Sequence, residues 1–166
     1  MRFDLVVVGA GPAGCAAAYV ASLRGLKVLL VEKHSMPRHK TCGGGVPASI
    51  GRYLPGLRLP DQLALPVSDM RHSWRFEDSV VASMHDPDQP PPLWSVRRSD
   101  FDAALASAAH AVGAVVVDGV AVRNVEIGKR AVTLSGTVSA SGQPWRTEGE
   151  FVVGADGATG AVAHRL

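Results

Sequence analysis

The segment Leu5–Gly14, LVVVGAGPAG, constrains the fold of this chain more than any other. Leu5–Val8 is a short, continuous run dominated by β-branched residues, the pattern of a strand buried on both faces. It runs straight into a turn with glycines at 9, 11 and 14. An alanine-rich stretch, Ala13 to about Arg24, then reads as a helix that Gly25 stops. Val28–Val31 is a second buried strand with Glu32 at its carboxyl end. A strand, a G-x-G-x-x-G turn, a helix and a second strand closed by an acid form a βαβ unit that binds the pyrophosphate of a dinucleotide. Gly9 makes the tight turn, Gly11 lets the pyrophosphate approach the backbone, and Gly14 lets helix and strand pack closely. The helix start offers free N–H groups and the positive end of its dipole to the phosphates. Glu32 is suited to accept hydrogen bonds from a ribose diol and to repel a 2′-phosphate, which disfavours NADP here. Cys15, just inside the helix, reads as a small packing residue.

The composition is that of an ordinary globular domain: 166 residues, 46% hydrophobic and 19% charged. A net charge of +2 gives no ground for nucleic acid or an anionic membrane as partner. Arg24 and the spaced glycines interrupt the apolar N-terminus, which therefore fits a strand-turn-helix better than a signal peptide or a span. The two cysteines, Cys15 and Cys42, are too few for a disulfide framework, so the expected compartment is the reducing cytoplasm. His34, His39 and Cys42 fit no common zinc spacing and lack a fourth ligand, so no metal site is expected. No nucleophilic triad or carboxylate pair emerges.

Further along, VRRSDFDAALASAAHAVGA at 96–114 reads as a helix. Ser99 is its candidate N-cap and Asp102 the capping-box partner; Phe101, Leu105, Ala109 and Val112 form an apolar stripe, and Gly113 is the stop. Val115–Val117 is a third buried strand. The segments GVAVRNVEI, AVTLSGTV and EGEFVVGADG, broken at Gly128-Lys129 and at 141–144, predict an antiparallel meander. Its last strand, Phe151–Val153, leads into GADGATG. The expected fold is α/β: a Rossmann-like domain with a parallel central sheet, an inserted antiparallel meander and part of a substrate-side β region. Residues 1–166 are expected to form one domain, with 51–95 as a partly β insertion carrying Trp74, Phe76 and Trp94.

Four separated motifs, VVVGAGPAG…VEK, KTCGGGVP, VRRSDFD and GADGATGAVAHRL, resemble FAD-dependent oxidoreductases of the aromatic-hydroxylase fold group. Within it, KTCGGGVP is similar to the K-x-C-G-G loop of geranylgeranyl reductases, which saturate double bonds of prenyl chains. The resemblance spans the whole chain and implies FAD, held by Gly9, Gly11, Ala13, Gly14, Glu32, Lys33, Arg38, Lys40, Cys42, Gly43, Gly44, Gly45, Arg98, Val122, Asp156 and Gly157. It implies that the Cys42 loop lies against the flavin ring, where the three glycines let backbone approach a flat surface. Cys42 would touch the reacting face, to tune the flavin or to help supply a proton. Arg38 and Lys40 would help neutralise the pyrophosphate or a flavin anion; the bland alternative is a solvated charge run over 38–40. The implied partner is a prenyl lipid, with NAD(P)H as external electron donor and at most peripheral membrane contact. Gly160 stands where this family usually has serine, and His164 where a basic residue is usual. Relatives continue beyond the position of Leu166 with a second FAD motif and most of the substrate cover, so the chain is expected to be the FAD-binding half and to be incomplete as a reductase. The alternatives are a flavin monooxygenase or halogenase, against which KTCGGG argues, and a remnant without catalysis.

Overall fold

The computed structural model describes residues 2–57, 60–84, 86, 88–89 and 91–165. In chain order the elements are β1 (Arg2–Val8), α1 (Pro12–Leu23), β2 (Val28–Val31), β3 (Gly45–Pro47), β4 (Ala64–Val67), β5 (Asp69–Trp74), β6 (Glu77–Ser83), β7 (Leu93–Val96), α2 (Arg98–Ala111), β8 (Val115–Val117), β9 (Val120–Ile127), β10 (Val132–Val138) and β11 (Pro144–Gly154). Short 3₁₀ turns span Ala48–Arg52 and Asp61–Leu63. The chain divides into two compact units, Met1–Arg38 with Asp102–Leu166, and His39–Phe101.

The first unit is built on a six-stranded sheet in the order β8-β2-β1-β11-β10-β9. β8, β2, β1 and β11 run parallel, while β10 and β9 are antiparallel additions on the β11 side. The predicted meander is therefore β9-β10-β11, continuous with the central sheet through the pairing of Leu5 with Phe151 and of Val8 with Gly154. β2 is buried at every position, as a continuous VLLV run with neighbours on both sides requires. Phe3, Val6, Val8, Leu29, Val31, Val120, Val125, Val132, Leu134 and Val162 make one contiguous core.

Helix ends follow the predicted chemistry in part. At the end of α1 the chain passes through Gly25 at φ +82°, whose N–H donates to the Ser22 carbonyl. Gly113 does the same after α2, at φ +109°, with its N–H on His110 O. The start of α2 differs from expectation. The Arg97 carbonyl accepts from the N–H groups of Asp100 and Phe101, so Ser99 lies inside the first turn and its hydroxyl bonds Asp100 instead. Phe101, Leu105 and Ala109 are buried as the stripe predicts, and Val112 is half-buried.

In the second unit β3, β7 and β4 form an antiparallel sheet with β7 in the middle. Among the described residues β5 and β6 pair only with each other, and Trp74 and Phe76 at their turn are exposed. Among the described residues no helix is long and apolar enough to cross a membrane.

Candidate cofactor site

From β1 the sheet grows to β2 and β8 on one side and to β11 on the other. The carboxyl end of β1 is thus where strand order reverses, the place at which open α/β sheets bind ligands. Three loops leave the sheet there: Gly9–Gly11 after β1, Glu32 after β2, and Ala155-Asp156 after β11. The N–H of Ala155 donates to Val8 O at 2.8 Å, and that of Gly9 to Val31 O at 2.7 Å, which ties the loops to neighbouring strands.

The glycines are demanded by this crowding. Gly9 sits at φ +101°, and a Cβ on it would run into the carbonyl of Ala155. A Cβ on Gly14 would run into the Gly9 carbonyl. With both absent, the turn after β1 folds directly onto the start of α1. That helix begins at Gly11, which carries no side chain to cap it, with Pro12 at its first position and no acid in its first turn. The orphan N–H groups of a helix start are left for an external acceptor, and no carboxylate competes for them.

Glu32 is buried, with 4% of its surface exposed, and both of its oxygens are held by groups of this unit. Its Oε2 accepts the N–H of Ala10 at 2.9 Å. Its Oε1 accepts the N–H of His34 at 3.2 Å and lies 3.2 Å from Arg38 Nε. Arg38 Nη1 in turn lies 3.0 Å from Asp102 Oδ2, and the Asp102 side chain is fully buried. Arg38 therefore does not belong to a solvated run. It bridges two buried carboxylates, whereas its neighbours His39 and Lys40 are exposed. Burying a carboxylate without such a partner is costly, and the guanidinium supplies that partner to both.

Sequence reasoning did not find Asp102 in this role. The signal was present: Asp102 stands next to Phe101 and one helical turn before Leu105 and Ala106, all buried, and an acid on an apolar helix face calls for a cation. Cys15 borders the same group, with its Sγ 3.9 Å from the Asp102 carbonyl oxygen. Burial first, and then the Asp102 carboxylate, push the Cys15 thiol up to about 12, while Arg38 pulls the other way. It is an inert packing residue, as its place in α1 predicts.

The remaining residues divide between the units. Lys33 is exposed, and its carbonyl accepts the Ser139 hydroxyl at 2.8 Å. Val122 is half-buried on β9, opposite Gly136 across a bulge. Asp156 accepts the N–H of Val162 at 3.2 Å, and its carboxyl group lies where a Cβ on Gly160 would stand. In the second unit Cys42 is exposed and its Sγ accepts the Gly44 N–H at 3.4 Å. Gly44, at φ +76°, accepts the N–H of Val96 at 2.9 Å, and any Cβ there would strike the Val96 carbonyl. Gly43–Gly45 thus run beside the end of β7, two residues before Arg98.

The sequence pattern of the FAD binding domain matches residues 2–166. The chain belongs to the FAD binding domain family. The cofactor of this flavoprotein family, FAD, suits the geometry on three counts: an uncapped helix start for the pyrophosphate, glycines that clear its approach, and a buried acid at the end of β2. The geranylgeranyl diphosphate reductase of Rhodobacter capsulatus is 32% identical over 171 residues, covering all of this chain and 40% of that protein. Among solved structures, the myxobacterial chondrochloren halogenase, an FAD-dependent halogenase, superposes with a TM-score of 0.80 at 26% identity, over 95% of this chain and 38% of its own. A geranylgeranyl bacteriochlorophyll reductase-like protein of Thermoplasma acidophilum gives a TM-score of 0.79 at 23% identity, over 94% of this chain and 39% of its own, which bears on fold alone. This FAD-binding chain spans about 40% of the length of the curated relatives it matches.

Proposed function

We propose that this flavoprotein chain serves a reductase that saturates double bonds of a prenyl lipid, with reduced nicotinamide as the external electron donor. The observation that carries the reading is KTCGGG at 40–45, supported by a geranylgeranyl diphosphate reductase as a relative over the full chain. Gly9, Gly11, Ala13 and Gly14 would receive the pyrophosphate and Glu32 the ribose, with Lys33, Arg98, Val122, Asp156 and Gly157 completing the cofactor contacts. A bound flavin supplies hydride chemistry; the protein supplies position and electrostatics. Lys40 would add positive charge near the cofactor's anionic groups. Cys42, whose Sγ holds the N–H of Gly44, would face the reacting side. An isolated alkene is a poor hydride acceptor, so a proton delivered to the other carbon and exclusion of water carry much of the barrier.

The test joins this chain to the part of the Rhodobacter capsulatus reductase that it does not match. With FAD, dithionite and geranylgeranyl diphosphate, the expected product gains one H₂ for each saturated bond, read by mass spectrometry. Cys42→Ser in the same chimera is expected to retain FAD and to change turnover or flavin potential. FAD bound without saturated product counts against the reading. A hydroxylated or halogenated product, formed with oxygen and halide supplied, would favour the alternative reading as a flavin monooxygenase or halogenase.

A further inference from the structure

Glu32 has fewer acceptor positions to offer than a ribose diol has hydroxyls. A carboxylate oxygen presents about two lone-pair directions. On Oε1 both are taken, by the His34 N–H and by Arg38 Nε, and on Oε2 one is taken by the Ala10 N–H. One direction remains, on Oε2. Arg38 is not free to drift from this arrangement, because its Nη1 is anchored 3.0 Å from a carboxylate with no exposed surface.

We infer that Asp102 and Arg38 are positioning residues for ribose recognition: Asp102 orients Arg38 and Arg38 orients Glu32, so that the Glu32 carboxylate, and not the guanidinium, meets the ribose and repels a 2′-phosphate. This rests on the reading of Glu32 as the ribose acceptor. Neither residue needs to touch the ligand. Glu32 alone is a buried acid with a rotatable side chain; clamped by Arg38 it presents Oε2 in one direction. A guanidinium without an anchor could turn onto a 2′-phosphate. Asp102 supplies that anchor.

The experiment is calorimetric titration of the 166-residue chain with FAD, ADP and 2′-phospho-ADP. The unaltered chain is expected to bind FAD and ADP, and 2′-phospho-ADP at least about tenfold more weakly than ADP, one charge repulsion's worth. Asp102→Asn is expected to erase most of that discrimination by admitting the 2′-phosphate. Arg38→Gln leaves two buried carboxylates side by side without a cation; one takes a proton or turns away, and ADP affinity falls about tenfold, the size of one charge-assisted hydrogen bond. Because Asp102 acts through Arg38, adding Asp102→Asn to Arg38→Gln should not admit the 2′-phosphate as Asp102→Asn alone does. A merely structural role would weaken ADP and 2′-phospho-ADP alike. An Asp102→Asn chain that melts cooperatively and keeps the ADP to 2′-phospho-ADP ratio overturns the inference. If that variant does not fold, Arg38→Gln decides, and unchanged ADP affinity overturns it. An unaltered chain that binds neither FAD nor ADP overturns the ribose reading itself, which is a separate and recognisable failure.

Discussion

Cys15 and Cys42 show how far two identical side chains diverge with position. Cys15 is 1% exposed, beside Asp102 in a buried charged cluster, and keeps its proton to about pH 12. Cys42 is exposed on a glycine loop. Iodoacetamide at pH 8 should therefore label Cys42 first, with Cys15 reacting only on unfolding; peptide mass mapping of the labelled chain reads the order. The Cys15 shift also has a consequence for stability. In the unfolded chain a thiol ionises near pH 8.5, whereas the folded chain holds the proton to about 12. Between these values the unfolded state binds fewer protons, so stability falls as pH rises. The Cys15→Ala chain should show a shallower decline across that window in denaturant melts compared with the parent. Equal slopes would mean that the site is more open than its packing indicates.

Among the elements, β10 carries more of the core than its length suggests. Leu134 has no exposed surface and joins the cluster that holds β1, β2, β9 and the segment at Val162 together. Leu134→Ala should cost about 2 to 5 kcal/mol in equilibrium unfolding, because the strands on both sides prevent the cavity from closing. β5 and β6 stand at the other extreme, a two-stranded sheet whose large apolar side chains Trp74, Phe76, Val80 and Val81 are exposed. A pair of strands with no third partner, as here among the described residues, is marginal in water. The proline-punctuated sequence around it marked β structure without showing what it pairs with.

For the molecule as a whole, binding of FAD should appear as stability. A ligand bound only by the folded state at a hundred times its dissociation constant adds about 2.7 kcal/mol. FAD and ADP should raise the melting temperature of the chain in a thermal-shift assay, and NADP should not. Gly11→Val should abolish the FAD effect, since Gly11 is the uncapped start of α1 and a side chain there fills the pyrophosphate's space. Protection by FAD that survives this substitution would place the cofactor elsewhere.

Local pattern determined a great deal here. The βαβ start, the positions of both helices, the stop at Gly113 and the three-stranded meander were all legible, because burial on both faces, helical periodicity and glycine punctuation act over a few residues. The dinucleotide glycines were legible for the same reason: a turn of that tightness admits few residues. What tertiary structure decided were the partners. Arg38 reads as a phosphate-facing or solvated charge until the fold sets it between Glu32 and Asp102, which lie 6 residues before it and 64 after it in the chain. Asp102 reads as a capping box until the Arg97 carbonyl is found to take the first helical bonds. Charge pairing and close approach depend on distances through space between residues far apart in sequence. Pattern along the chain carries no such distances; the folded sheet supplies them.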